Sequence, residues 1–149
     1  MALTVAAPMP GTVVPMAEVP DPVFAEGLVG PGAAISPDPD AYLVTAPVGG
    51  TLVKVKPHAF VVVSQPGYAV LVHLGIDTVR LDGTGFTVLA AEGTAVMAGD
   101  PVVRWDPAAV AARGLSVTCP VVALDAPAAA VAAVASGPVR AGEPLFTWS

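Results

Sequence analysis

Short runs rich in valine and leucine alternate with Gly/Pro turns along most of the chain. Apolar stretches of this length, bounded by turn formers, read as β-strands rather than helices. The pattern predicts strands over Thr12–Val14, Leu43–Thr45, Thr51–Val55, Phe60–Val63, Ala69–Leu74, Phe86–Ala90 and Val102–Trp105. Strands following one another without intervening long helices point to an antiparallel sandwich or barrel, not to alternating βαβ units.

Two segments break the strand pattern. Asp106-Pro107 through Arg113-Gly114 has an Asp N-cap, a proline at the first helical position and a terminal glycine, which together predict a short helix. Asp125 through Ser136, ahead of Gly137, carries a similar pattern and predicts a second. Helices this short are unstable alone, so both are expected to pack on the sheet. Pro31–Asp40, rich in Pro, Gly and Asp, reads as a surface loop.

The chain repeats itself in two places. Ala7-Pro8-Met9-Pro10-Gly11-Thr12-Val13-Val14 resembles Ala46-Pro47-Val48-Gly49-Gly50-Thr51-Leu52-Val53. The run Val96 to Trp105 resembles Val139 to Trp148, each with an Ala-Gly-acid-Pro turn. With only two copies of each unit this is not a solenoid. The expectation is an all-β, antiparallel β-sandwich or barrel-like single domain over residues 1–149, with duplicated halves and short helical segments. Gly99 and Gly142 are expected at positive φ. Asp100 and Glu143 then read as turn residues.

Composition narrows the function classes. The chain has 149 residues and a formal net charge of −6. Its two lysines, Lys54 and Lys56, and four arginines form no basic stripe, so nucleic-acid binding is not expected. An acidic surface suits basic protein partners instead. Mean hydropathy is high at +0.74, yet Gly and Pro interrupt every apolar run short of the roughly 18 residues a spanning helix needs. Met1-Ala2-Leu3-Thr4 lacks the basic start of a secretory signal. Cys119, the single cysteine, sits among apolar neighbours and reads as a buried structural thiol. Direct membrane insertion is not expected, and the cytoplasm is the expected location.

The chemistry is concentrated in two histidines. His58 and His73 are the only ones, and both flank the turn signal Ser64-Gln65-Pro66-Gly67. Folding the strands symmetrically about that turn, with Ser64 opposite Gly67, puts Val62 against Ala69, Phe60 against Leu71 and His58 against His73. Cross-strand partners have Cβ atoms roughly 5 Å apart, so the imidazoles become neighbours on one face. A slip of one residue would separate them.

Three chemistries suit such a pair. Zinc normally takes at least three protein ligands, so a metal would need a carboxylate such as Asp77 or a ligand from a partner. A serine nucleophile would need a Gly-x-Ser-x-Gly elbow, which is absent. Phosphorylation of one imidazole needs only a neutral nucleophile and a second group to hold the phosphoryl oxygens. Gly75 would let the backbone come close to a ligand, and Asp77 would place negative charge beside it.

The run Val72-His73-Leu74-Gly75-Ile76-Asp77-Thr78-Val79 closely resembles the phosphorylation-site motif of glucose-type enzyme IIA components of the bacterial sugar phosphotransferase system. Val19-Pro20-Asp21-Pro22-Val23-Phe24-Ala25-Glu26, Ala46-Pro47-Val48-Gly49-Gly50-Thr51, His58-Ala59-Phe60 and Leu81-Asp82-Gly83-Thr84-Gly85-Phe86 are similar to further motifs of that family, in the same order. The resemblance covers nearly the whole chain. It implies a phosphotransferase component with an antiparallel β-sandwich of duplicated halves. His73 would accept the phosphoryl group on Nε2 from the histidine phosphocarrier HPr and deliver it to a cysteine on the IIB domain of a sugar permease. His58 would hydrogen-bond that group. Phe24, Leu28, Val29, Phe60 and Phe86 would form the apolar patch around the site, and Asp21 and Asp77 its acidic rim. No cofactor or metal is implied. Binding of regulatory target proteins according to phosphorylation state is a further implication.

One motif departs. Family members usually carry a threonine shortly before the accessory histidine, whereas this chain reads Val55-Lys56-Pro57-His58. The supporting hydroxyl is missing there, and Thr78 is the alternative source. Two rival readings fit less of the chain. A biotinyl or lipoyl carrier domain would need a lysine at a hairpin tip. A zinc peptidase of related architecture would need a His-x-His element that is absent.

Overall fold

A computed structural model of the chain describes residues 2–149. Met1, part of the N-terminal stretch expected to carry no signal, lies outside the described residues. The strands are β1 (Leu3–Ala6), β2 (Gly11–Pro15), β3 (Gly32–Pro37), β4 (Leu43–Thr45), β5 (Gly50–Lys56), β6 (Ala59–Ser64) and β7 (Tyr68–His73). They continue with β8 (Phe86–Val88), β9 (Ala95–Val96), β10 (Pro101–Trp105), β11 (Cys119–Ala123), β12 (Val131–Ala132), β13 (Pro138–Val139) and β14 (Pro144–Trp148). Two helices, α1 (Pro22–Ala25) and α2 (Pro107–Ala112), join them. Among the described residues no helix is long and apolar enough to cross a membrane.

The strands pair antiparallel in an eight-stranded sheet, β13-β2-β3-β11-β7-β6-β5-β9, and two three-stranded sheets, β1-β14-β12 and β4-β10-β8. Among the described residues the large sheet ends at β13 and β9 and forms no closed barrel. Side chains alternate along each strand. One face of the large sheet, with Ile35, Leu52, Phe60, Val62, Val70, Val72 and Val121, enters the main core together with Phe146 and Trp105. The other face carries a smaller apolar cluster of Val19, Phe24, Ala34, Ile76 and Val122.

The duplication read from the sequence is present in the hydrogen bonds. Thr45 N–H donates to Pro8 O and Ala6 N–H to Pro47 O, both at 2.9 Å. Ala46 N–H donates to Asp100 O at 2.9 Å, and its counterpart Ala7 N–H to Glu143 O at 2.8 Å. The two small sheets correspond strand for strand, with Trp105 opposite Phe86 in one and Trp148 opposite Val131 in the other. The repeated turns have Gly99 and Gly142 at φ +93° and +89°. Asp100 Oδ2 accepts from Met97 N–H and Glu143 Oε1 from Arg140 N–H. Both acids close their turns, as expected.

All seven expected strands form, and α2 is capped by Asp106, whose Oδ1 accepts from Ala109 N–H at 3.1 Å. Two segments differ from the expected elements. Pro31–Asp40 is not a loop: it contains β3, inserted between β2 and β11. Its Ala33, Ala34 and Ile35 are wholly buried, on two faces at once. A strand buried on both faces shows no polar alternation, and a Cβ on Gly32 would lie 2.1 Å from Val121 O, so small residues replaced the usual strand signal. Asp125–Ser136 is not a helix either. It holds a single turn at Ala128–Ala130 and then β12, which pairs with β14. Asp125 and Ala133 take φ +59° and +52°. Ladder bonds to β14 override alanine's helix preference, which is worth only tenths of a kcal/mol per residue.

Candidate functional site

β6 and β7 form the expected hairpin, but its register differs by one. Gly67 N–H closes the turn onto Ser64 O at 2.9 Å. Gly67 then sits at φ +141° and stays out of the ladder, so Ser64 pairs with Tyr68, Phe60 with Val72 and Ala59 with His73. The expected pairings Val62–Ala69, Phe60–Leu71 and His58–His73 are therefore corrected. The two imidazoles still meet, with ring centroids 5.3 Å apart and planes at 73°. His58 lies in the turn before β6, where strand alternation no longer fixes its direction. Its backbone O accepts from Leu74 N–H at 2.7 Å, which pins the turn beside His73.

His73 ends β7 on the face opposite the main core. Phe24 from α1 packs its ring against it, centroid to centroid 5.3 Å. The α1 turn is fixed by Asp21, whose Oδ1 accepts from Val23 N–H at 2.9 Å, and by Pro22 at the first position. On the far side the chain turns sharply at Gly75. His73 Nδ1 lies 2.6 Å from Gly75 O. A carbonyl only accepts, so Nδ1 carries the proton and Nε2 keeps its lone pair.

The Gly75 carbonyl is the feature the motif did not reveal, and the loop behind it is held by hydrogen bonds. Thr78, 1% exposed, donates from Oγ1 to Leu74 O at 2.7 Å. Ile76 N–H donates to Ser116 O at 2.9 Å. The Thr78 hydroxyl thus braces the loop and donates to Leu74 O rather than to His58. Gly75 takes φ +78°, and a Cβ there would lie 2.7 Å from Thr78 Cγ2 and 2.8 Å from Ser116 O. Gly75→Ala is expected to cost about 2 kcal/mol or more and to swing the carbonyl off Nδ1. An unchanged melting temperature would refute this.

The other expected residues divide. Leu28 is 70% exposed, and Val29 packs at the edge of the cluster around Phe24. Phe60 is wholly buried in the main core and does not reach the surface around the histidines. Phe86 stacks on Trp105, with centroids 5.7 Å apart, rather than on either imidazole. Asp77 is exposed at φ +60°, and its side chain caps nothing. Cys119 is buried, and burial pushes its thiol up to about 12 against a smaller pull from the Gly75 backbone. Among the described residues no three metal-ligating side chains cluster.

Both imidazoles are biased toward the neutral form. Burial lowers the pKa of His58 most, with the charges of His73 and Lys56 adding to it. Burial also lowers that of His73, against the Gly75 carbonyl, Asp21 and Asp77, which raise it. Between the native values and the unfolded value of about 6.5, the unfolded chain binds protons that the native one does not. Stability is then fully present above the unfolded pKa and falls as pH drops toward the native ones. The melting temperature of the wild type is expected to fall more steeply between about pH 7 and pH 5 than that of His58→Gln/His73→Gln. Parallel curves would contradict the shifts.

Residues 3–128 match the family model described as phosphoenolpyruvate-dependent sugar phosphotransferase system, EIIA 1. The chain is 40% identical over 135 residues to the glucose-specific EIIA component of Haemophilus influenzae, covering 89% of this chain and 80% of that one. It is 41% identical over 143 residues to the N-acetylglucosamine-specific EIICBA component of Klebsiella pneumoniae, covering 93% of this chain and 22% of the relative. With the glucose-specific EIIBCA component of Corynebacterium glutamicum it shares 38% identity over 122 residues, 82% of this chain and 18% of the relative. The chain thus spans about a fifth of these multi-component relatives. The structure of glucose permease IIA from Mycoplasma capricolum superposes with a TM-score of 0.92 at 36% identity, over 99% of this chain and 96% of that one. A sandwich of duplicated halves, a histidine pair on its outer face and matches over this much of the chain lead to one assignment: the chain belongs to the EIIA 1 family of the phosphoenolpyruvate-dependent sugar phosphotransferase system.

Proposed function

We propose that this chain, as an EIIA-type phosphocarrier, holds its phosphoryl group on Nε2 of His73 and that His58 supports the transfer. The observation that carries the reading is the bond from His73 Nδ1 to Gly75 O, which leaves Nε2 as the ring's free lone pair beside a second imidazole. Phospho-HPr is the donor. Its P–N bond breaks with the electron pair returning to the donor imidazole, while the Nε2 lone pair of His73 forms the new P–N bond. Onward, the thiolate of a IIB cysteine forms a P–S bond and Nε2 recovers its pair. Such transfers depend on positioning and charge stabilisation more than on covalent assistance.

Docking falls to the surface around α1. Leu28, Val29 and the edge of Phe24 supply apolar area, and Asp21 and Asp77 a negative rim for basic partners. Phe86 belongs to this surface only through a partner broad enough to reach β8. Residues 1–149 act as a single IIA unit in the cytoplasm, where the donor and the IIB cysteine meet it. The phosphoryl group adds about −1.5 to −2 charges beside this face, which suits binding of regulatory targets according to phosphorylation state. Incubation with phosphoenolpyruvate, enzyme I and HPr is expected to give an acid-labile phosphohistidine. Absence of label on the wild type ends the reading.

A further inference from the structure

The corrected hairpin register has a consequence for Lys56. In β5 and β6, Lys56 pairs with Ala59, and in β6 and β7, Ala59 pairs with His73. Antiparallel partners project from the same face of a sheet. Lys56, Ala59 and His73 therefore form one transverse row. The face is fixed by the neighbouring row, where Val55 pairs with Phe60, and Phe60 lies wholly in the main core. The Lys56 row thus points outward, onto the face that carries the histidine pair. The turn Pro57-His58 arches directly between Lys56 and Ala59.

The middle residue of the row is the smallest side chain that keeps a Cβ. β5 and β7 are two strand spacings apart, roughly 10 Å. A lysine's four-carbon stem and an imidazole, leaning toward each other over the Ala59 methyl, can close that gap to a phosphate's width. The charge of Lys56 is already felt at the pair, since after burial and His73 it is the third influence lowering the pKa of His58.

The electrostatics of the site call for such a group. The named charges acting on His73 are the acids Asp21 and Asp77. A phosphoryl group of about −1.5 to −2 charges would share the site with them. His58, held toward its neutral form in the free protein, offers one N–H and at most a single positive charge, less than the phosphoryl group carries. Resting on the reading that His73 is the carrier, we propose that Lys56 is a further catalytic residue of the transfer, its ammonium contacting the phosphoryl oxygens on His73 alongside His58. The step gains no new bond or proton transfer. The P–N bond still forms from Nε2, and Lys56 supplies fixed charge to the oxygens as it does. Lys54, on the same outer face but two rows further along opposite Val61, is the natural control.

The test uses the full chain, with Lys56→Met, Lys56→Arg and Lys54→Met, each equilibrated with phospho-HPr and followed by 31P NMR. In Lys56→Met the exchange equilibrium is expected to move roughly 10-fold away from the phosphorylated chain, as for loss of one charge-assisted hydrogen bond. The phosphohistidine titration should also move up in pH, because a cation that favours the dianion is gone. Lys56→Arg should keep most of both values, and Lys54→Met all of them. The inference is overturned if Lys56→Met matches Lys54→Met in both readouts. It is equally overturned if the arginine and methionine variants lose the same amount, since the charge is then irrelevant. A wild type that labels while Lys56→Met behaves normally removes only Lys56, whereas a wild type that never labels removes the carrier reading as well.

Discussion

His73→Ala is expected to be a folded protein that takes up no phosphoryl group at all. The substitution removes one partly buried ring, its contact with Phe24 and the hydrogen bond to Gly75 O. Those losses amount to about 1–3 kcal/mol, on a face outside the main core. The chemistry has no substitute. Cys119 is wholly buried, with its thiol pushed to about 12 by burial. His58 lacks the Gly75 carbonyl that fixes the His73 tautomer, and its backbone is held in a turn rather than at a strand end. The check is label from phospho-HPr, with circular dichroism to show that the sheet persists. Undiminished label in the variant would move the acceptor elsewhere.

His58→Gln is expected to separate the two halves of the reaction. The amide keeps an N–H donor of similar reach, so phosphoryl uptake from HPr should survive. Delivery to a IIB cysteine should fall by roughly 100-fold, the cost of losing one well-placed transition-state partner. The asymmetry has an electrostatic cause. In delivery an anionic thiolate approaches a phosphoryl dianion, so neutralising charge matters most. In the free protein, burial, His73 and Lys56 hold His58 toward its neutral form. A phosphoryl group on His73 pulls it toward the imidazolium, which can donate a charge-assisted bond. Glutamine cannot follow that change. Rates of uptake and delivery measured separately provide the check, and normal delivery would remove His58 from the mechanism.

Much of the site was legible because its elements are local. A capped proline start defined α2, repeated Ala-Gly-acid-Pro turns defined two ladders, and a hairpin around Ser64-Gln65-Pro66-Gly67 brought two histidines together. The parts that were not legible depend on residues far apart in sequence. β3 is hidden because Ala33, Ala34 and Ile35 are covered on both faces, which leaves no alternation to read. β12 forms where alanines predict a helix because β14 offers unpaired backbone groups there. Phe60 belongs to a motif around the accessory histidine, yet its side chain faces the core.

The histidine pair shows the division most clearly. Residue order alone implied that one turn at Ser64-Gln65-Pro66-Gly67 brings both imidazoles near each other, that a strand ends just before Gly75, and that the fold is built from two similar halves. Turn chemistry and short-range spacing suffice for each of these. How the rings meet is a property of the folded hairpin. Gly67 stays out of the ladder and shifts the register by one. In two continuous strands that shift would part the rings, but His58 has already left the strand, and its side chain follows the turn. The same shift aligned Lys56, Ala59 and His73 in one row. A hairpin's register follows the conformation its turn adopts, and the residue types Ser64-Gln65-Pro66-Gly67 are compatible with more than one closure.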